Sequence, residues 1–433
     1  MTATPDRSKS VTQDTAPGAS VAGQDFAQDV RATTVRGAVQ EYVDRLRGGD
    51  MGALPAILGL VVLAVIFSAL RPETFPSVGN FANLMTQAAP ICVLAMALVP
   101  VLLLGEIDLS AGVAGGAAAC VMAILINSRG WSWPLAVVAA VVTGLVIGTL
   151  IGLLVSRIGI PSFIVTLAFF LGLQGITLWL IGEGGTVPVR NDVIVGIANS
   201  NLPVTAGWVL AILVVVAFAA LNLLRYRRQV ARGLQHAPFP IVVARIVGLA
   251  VVVLALTAVL NANRARIPGV FVGGIPYAVP IVVVLLVFWS AVLSRTAYGR
   301  HVYAVGGNAE AARRAGISVP GTRVSVFMIC SSMAALSGII AASRLNSVTP
   351  DAGAGNTLLY AVGAAVIGGT SLFGGKGRMR DAILGGLVIA IIDNGLGLMG
   401  FKSYVNFLVT GGVLLLAASV DAISRRRRSA TGH

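Results

Sequence analysis

Residues Arg295–Arg323 read RTAYGRHVYAVGGNAEAARRAGISVPGTR, a polar island set between two long apolar runs. Five arginines, Arg295, Arg300, Arg313, Arg314 and Arg323, stand there against a single acid, Glu310. The stretch from Asn308 to Ala315 consists almost entirely of good helix formers, with Asn308 able to cap the helix and Gly316 able to close it. A short rigid helix held between two membrane spans is suited to seating in a groove on a partner, because an ordered connection transmits force.

Outward from the island, composition sets the class. Of 433 residues, 56% are hydrophobic and 11% charged, against roughly a quarter charged in ordinary soluble domains. The mean hydropathy of +0.89 agrees. An all-α, polytopic transmembrane helical bundle follows, with broken helices and a helix at the polar island. The net charge of +14 is distributed in short clusters between apolar runs, a pattern that sets membrane orientation and argues against a nucleic-acid partner. The 51 glycines favour close helix packing and interrupted helices in lipid. Cys92, Cys120 and Cys330 lie in apolar segments without paired spacing, so buried free thiols are expected. His236, His301 and His433 are isolated from one another, and no metal site is expected.

In chain order, residues 1–52 read as a polar tail, disordered to about Arg31 and then carrying an amphipathic helix whose apolar positions Val39, Tyr42, Val43 and Leu46 recur at helical spacing. The membrane domain is expected over residues 53–424 with the island loop at 295–323, followed by a basic tail over 425–433. A span needs about 20 mostly apolar residues, and that rule places about twelve, from Leu54–Leu70 to Tyr404–Val420. An even count with both termini inside gathers Arg157, the cluster Arg225–Arg228, the island, Lys376–Arg380 and Arg425–Arg428 on one face. The other face keeps Arg71, Arg129, Arg190, Arg264, Arg266, Arg344 and Lys402.

Several polar groups interrupt the apolar sequence. In GEIDLSAG, Gly105–Gly112, Asp108 and Ser110 either cap the next helix or line a broken-helix element of a translocation route. GGTSLFGGKG, Gly368–Gly377, suggests a phosphate loop but lacks the template, with Thr370 and Gly377 at the decisive places, so the chain should not hydrolyse ATP. Its Thr370 and Ser371 either line a route or bond the preceding turn. Asp393 and Asn394, and likewise Gln87, Thr166 and Gln174, either wall a polar pathway or fix packing through interhelical hydrogen bonds. Gly182–Pro203 and Asn346–Asn356, rich in turn formers, are long enough for surface helices and for docking a partner.

The segment YAVGGNAEAARRAGI resembles the cytoplasmic coupling loop of permease subunits in bacterial ABC importers for monosaccharides, related to branched-chain amino acid permeases. GEIDLSAG, AAVIGGTSLFGGKGRMRDAILGGL (Ala364–Leu387) and IIDNGLGLMG (Ile391–Gly400) occur in that family's order, from about Phe81 onward. The resemblance implies no catalytic residue in this chain. It implies a cytoplasmic ATPase partner that binds ATP and Mg, an extracytoplasmic sugar-binding protein, a homodimer of permeases and an inner-membrane location. Asn308, Ala309, Glu310, Ala311, Arg313 and Gly316 are then the expected contacts with the ATPase. Length and the extra region around Ile241–Pro276 are similar to xylose-type members. A proton-coupled secondary sugar transporter using Glu106, Asp108 or Asp393 is the alternative.

Overall fold

The computed structural model describes residues 36–37, 40, 52, 54–234, 236–265, 267–402, 404–413, 415–416 and 419. The polar tail over 1–52 with its amphipathic helix, and the basic tail over 425–433, lie outside the described residues apart from isolated positions.

The chain is a helical bundle. Its helices are α1 (Leu54–Leu70), α2 (Val78–Leu103), α3 (Ala111–Arg129), α4 (Trp133–Leu153, prolonged by a π-helical turn to Ile158), α5 (Ser162–Ile181), α6 (Asp192–Asn199), α7 (Val204–Ala231) and α8 (Phe239–Asn261). They continue with α9 (Ala278–Arg295), α10 (Ala297–Gly307), α11 (Ala309–Arg314), α12 (Val319–Leu345), α13 (Thr357–Gly368), α14 (Met379–Leu398) and α15 (Tyr404–Val413). Among the described residues nine helices are long and apolar enough to cross a membrane, and α1, α13 and α15 are shorter apolar ones. Each of the twelve apolar segments read from the sequence holds one of these helices, nine of them at spanning length.

Val215–Ala250, the facing ends of α7 and α8 with their connection, belongs to a small compact unit, and the rest of the membrane helices form a large one. At the centre of the large unit is α2, whose residues from Val93 to Leu103 are all essentially inaccessible. A helix apolar on every side is stable only when neighbours surround it. Here α12, α14, α13 and α9 do so. By contrast α5, α7 and α8 leave most of their apolar surface uncovered, as helices facing lipid tails do.

Tight packing of the centre comes from missing side chains. On α4, Gly144, Gly148 and Gly152 recur every four residues and form one stripe. A Cβ on them would meet Ser331 O at 2.4 Å, Phe327 O at 2.3 Å and Val324 Cα at 2.7 Å, all backbone atoms of α12. Gly115 of α3 and Gly338 of α12 approach in the same way, a Cβ on Gly338 falling 2.0 Å from Gly115 O. Without a hydrophobic force between helices in lipid, such backbone approach is what makes association favourable.

Several boundaries differ from the sequence reading, which placed spans at Val324–Ala341, Leu358–Leu372 and Thr205–Leu224 among others, and three have a clear local reason. Helix α12 begins at Val319, five residues before Val324, because the Ser318 side chain accepts from Gly321 N at 3.3 Å and Pro320 suits the first turn. Helix α13 stops at Gly368 and not Leu372, because Gly369 is left-handed at φ 114. Helix α7 runs on through the arginine cluster to Ala231, since Arg and Gln are good helix formers once out of lipid. The two turn-rich segments do meet. Strand β1 (Val187–Pro188) pairs antiparallel with β2 (Ser347–Val348), and α6 is held to the end of α12 by Ser343, whose Oγ accepts from Ala198 N at 2.9 Å and donates to Val195 O at 3.0 Å.

Gly148→Leu should therefore prevent stable folding, since overpacking that typically costs ~1–3 kcal/mol falls here on backbone and not on a yielding side chain. Gly172→Leu, at an exposed α5 position with nothing within 4 Å of its Cβ, should be neutral. Yield and thermal unfolding of the detergent-purified variants measure the difference.

Candidate functional site

The polar island folds into two short helices. Thr296 caps α10 by accepting from Gly299 N at 3.2 Å, and Asn308 then breaks the direction with φ −158 and ψ 103 and caps α11 by accepting from Ala311 N at 2.9 Å. Gly316, at φ +83, ends the helix, with Gly316 N donating to Arg313 O and Ile317 N to Ala312 O, both at 3.0 Å. The cap and the closing glycine stand where the sequence put them. The preceding helix α10 had no separate signal.

One face of the pair is anchored: Val305, Ala312 and Val319 form a buried cluster, with Leu104, Ala309 and Ile317 packed against it. The other face is open and carries Glu310, Ala311, Arg313 and Arg314. Ala309 and Ala311, expected to share a groove contact, thus point differently, Ala309 half-buried against the cluster and Ala311 exposed. Glu310 bonds Arg313 one turn on, and Arg314 at 3.2 Å. The Arg313 hydrogen bond holds the Glu310 carboxyl below the usual carboxylate range.

Two contacts, through Gly306 and Tyr303, tie this lever of two helices to the end of α2 and the glycine-rich loop, and two more brace its surroundings. Gly306 lies so close to the end of α2 that a Cβ would fall 1.9 Å from Leu103 O. That same carbonyl accepts from Gly375 N at 2.9 Å, so it is shared between the lever and the glycine-rich loop. The Tyr303 hydroxyl donates to Gly377 O at 2.7 Å, and burial keeps this phenol above its usual titration range, so the donor is retained at neutral pH. Arg323, in the first turn of α12, sets its Nε 3.1 Å from Glu106 Oε1, a charge contact without the alignment of a hydrogen bond.

The remaining candidates divide into two places. Asp108 and Ser110 belong to the break between α2 and α3, and Thr166 of α5 lies against it. Asp108 is 1% exposed and its Oδ1 accepts from Ser110 N at 2.9 Å and from the Ser110 hydroxyl at 2.6 Å. Asp108 therefore orders the turn before α3, and Ser110 donates its hydroxyl where a helix-capping bond had been one expectation. Thr166 donates to Ser162 O at 2.9 Å and lies 3.3 Å from Ile107 O. Thr370 and Ser371 shape the loop under the lever: a Cβ on Gly377 would strike Thr370 Cγ2 at 2.7 Å, and Ser371 N donates to Lys376 O at 2.8 Å.

Gln87, Asp393 and Asn394 meet at the opposite depth. Gln87 of α2 donates to the Asp393 carboxylate of α14, and Asn394 Nδ2 donates to Gln87 Oε1 at 3.3 Å. Asn394 also exchanges reciprocal amide bonds with Asn80, each 2.9 Å. Gln87 and Asp393 open onto a cavity of about 230 Å³, lined also by Ser337, Arg344, Thr349 and Tyr360. Into a mostly apolar wall these residues set one acid, one cation, an amide and hydroxyls, groups able to exchange hydrogen bonds with a neutral polyol. Gln174, half-buried on α5, is not among the residues lining it. The sequence reading missed Asn80, Arg344 and Tyr360. Arg344 follows an apolar run and looks like a span-end charge, and nothing local distinguishes Asn80 or Tyr360.

Comparison with known proteins fits this geometry. Residues 80–418 match the family model described as branched-chain amino acid transport system / permease component. The xylose transport system permease protein XylH of Escherichia coli K12 is 36% identical over 88% of this chain and 94% of its own length. XylH of Haemophilus influenzae is 31% identical over 88% and 99%, and the ribose import permease protein RbsC of Escherichia coli K12 is 30% identical over 84% and 92%. No solved structure matches the chain. The chain therefore belongs to the branched-chain amino acid transport system permease family, as a multi-pass membrane permease of its monosaccharide ABC importer branch that works with an ATPase and a substrate-binding protein.

Proposed function

We propose that this chain conducts xylose, or a closely related sugar, inward as one half of a homodimeric permease with both termini in the cytoplasm. The sugar follows from the relatives, among which the xylose permeases share the higher identity. Orientation follows from charge: the ends carrying the lever, Arg157 and Lys376–Arg380 hold most of the cations, and the end bearing β1, β2 and α6 holds few. The latter end would receive the sugar-binding protein.

The observation that carries the mechanism is the shared Leu103 carbonyl. An ATPase groove that seats the open face of α11, around Glu310, Ala311 and Arg313, would move α10 with it. Gly306 leaves no slack between α10 and the end of α2, so the displacement enters the most buried helix of the bundle directly. Helix α2 carries Gln87 at its other half. Moving it against α14 would break and remake the Gln87–Asp393 contact, exposing the cavity's hydrogen-bonding wall to one side and then the other. ATP and Mg stay with the ATPase, and this chain supplies only the conduit and the lever.

Reconstitution with the ATPase and binding protein tests the reading through ATP-driven uptake of labelled xylose. Gly316→Pro forces φ from +83 to about −65°. It should abolish uptake and transport-coupled ATP turnover while leaving the protein in the membrane; Glu310→Arg should act in the same direction. Unchanged uptake in both would remove the lever from the mechanism. Asp393→Asn, which discards a charge-assisted hydrogen bond of ~1.5–3 kcal/mol, should slow uptake about tenfold or more with ATPase assembly intact. Glu106→Gln should raise the ATP consumed per sugar, since the ion pair joining the break to α12 is lost.

A further inference from the structure

The small unit contains a feature that the transport reading does not use. Helix α7 continues past its apolar run at Leu224 into RYRRQVA, its residues Asn222, Arg225, Tyr226 and Gln229 recurring at three- and four-residue spacing along one face, with Arg232 in the turn that follows. Together with Arg228 and, from α8, Arg245, they line a cavity of about 360 Å³. Arg227, on the opposite side of the helix, does not line it. Four arginines thus line one space. The sequence has no acidic residue between Asp192 and Glu310, and no ion pair joins any of the four to a carboxylate among the described residues.

Like charges gathered without a counter-charge repel one another, and Arg245 is the most telling of them. It interrupts the apolar start of α8, whose other face carries the exposed Val243 and Val247. An arginine on a lipid-facing helix is retained when its head group reaches an anion or the interface. The cavity stands at the level where α7 passes from apolar to basic, with Tyr226 in the wall and its ring packed on His236 and Phe239 at centroid distances of 5.1 and 5.4 Å. Aromatic rings of that kind mark the headgroup level of a bilayer. A free phosphate would satisfy the arginines but would have to be drawn from water, with no contribution from the membrane surface. An anionic phospholipid brings its phosphodiester to this level by its own place in the bilayer, beside a basic cluster that directly follows an apolar helix.

We propose that the arginine-lined cavity of Arg225, Arg228, Arg232 and Arg245 is a binding site for the phosphodiester headgroup of an anionic phospholipid. Its assignment to the inner leaflet rests on the orientation proposed above, but lipid binding itself does not. The site anchors the α7–α8 hairpin to the membrane surface by charge-assisted bonds that arginine forms well with phosphate oxygens.

The full-length chain in phosphatidylcholine nanodiscs containing phosphatidylglycerol as the minor lipid, released and read by native mass spectrometry, tests this. Wild type should retain phosphatidylglycerol in preference to phosphatidylcholine, and R228Q/R245Q should lower that retention ~10-fold or more. R227Q should retain it as wild type does. Should R228Q/R245Q not elute as a monodisperse species, R225Q/R232Q provides the same comparison. Retention unchanged in a folded pair variant overturns the site, as does equal retention of phosphatidylcholine by wild type. Inorganic phosphate that displaces the lipid at millimolar concentration would assign the cavity to a free anion instead. None of these readouts involves sugar uptake, so failure here and failure of the transport reading are distinguishable.

Discussion

The structure depends on the contact between Gly306 and the carbonyl of Leu103. A polar connection that only joined two spans could sit anywhere at the surface. This one places backbone against backbone, at a separation that any side chain on Gly306 would violate, and it uses a carbonyl freed because α2 ends there. The same oxygen holds Gly375. One acceptor therefore joins the lever, the end of the central helix and the glycine-rich loop. Contacts between backbone atoms have no rotamers to absorb a displacement, so they transmit it.

Around that point, glycine is used in two distinct ways. On α3, α4 and α12 it removes side chains so that helices meet closely, which in lipid replaces the hydrophobic force that water would supply. In the loops at Gly105, Gly316, Gly369, Gly374 and Gly375 it provides the left-handed backbone that ends helices and turns the chain. The polar side chains are similarly divided. Those near the break between α2 and α3, Asp108 and Thr166, bond backbone there. Those at the cavity, Gln87 and Asp393, face space that a solute can enter.

Much of this was legible in the sequence because lipid imposes strict rules. Span length placed an apolar helix in each of the segments read as spans, and Asn308 and Gly316 marked α11 because capping is a local interaction that leaves a local signature. The glycine-rich segment was recognisable as something other than a nucleotide loop, but its purpose was not, since Leu103 and Gly375 are far apart in sequence. The same holds for the Gln87–Asp393–Asn394–Asn80 cluster. Each polar residue interrupts its own span visibly, yet which of them meet depends on helix rotation, which the apolar, nearly uniform spans do not encode. Gln174 looked equivalent to Gln87 and does not share its cavity. The arginines of α7 read as an orientation signal, and only the approach of Arg245 from α8 makes them a cavity.

Spin labels at Arg314 on the lever and at Phe373 in the glycine-rich loop, with a second pair at Arg314 and Trp131 at the far end of the bundle, give the most direct measurement. Distances would be recorded in the assembled importer with and without ATP. Rigid transmission predicts that the Arg314–Phe373 distance is the same in both states while the Arg314–Trp131 distance changes. A nucleotide-dependent change between Arg314 and Phe373, with Arg314–Trp131 constant, would mean that the lever slides over the bundle and does not drive it.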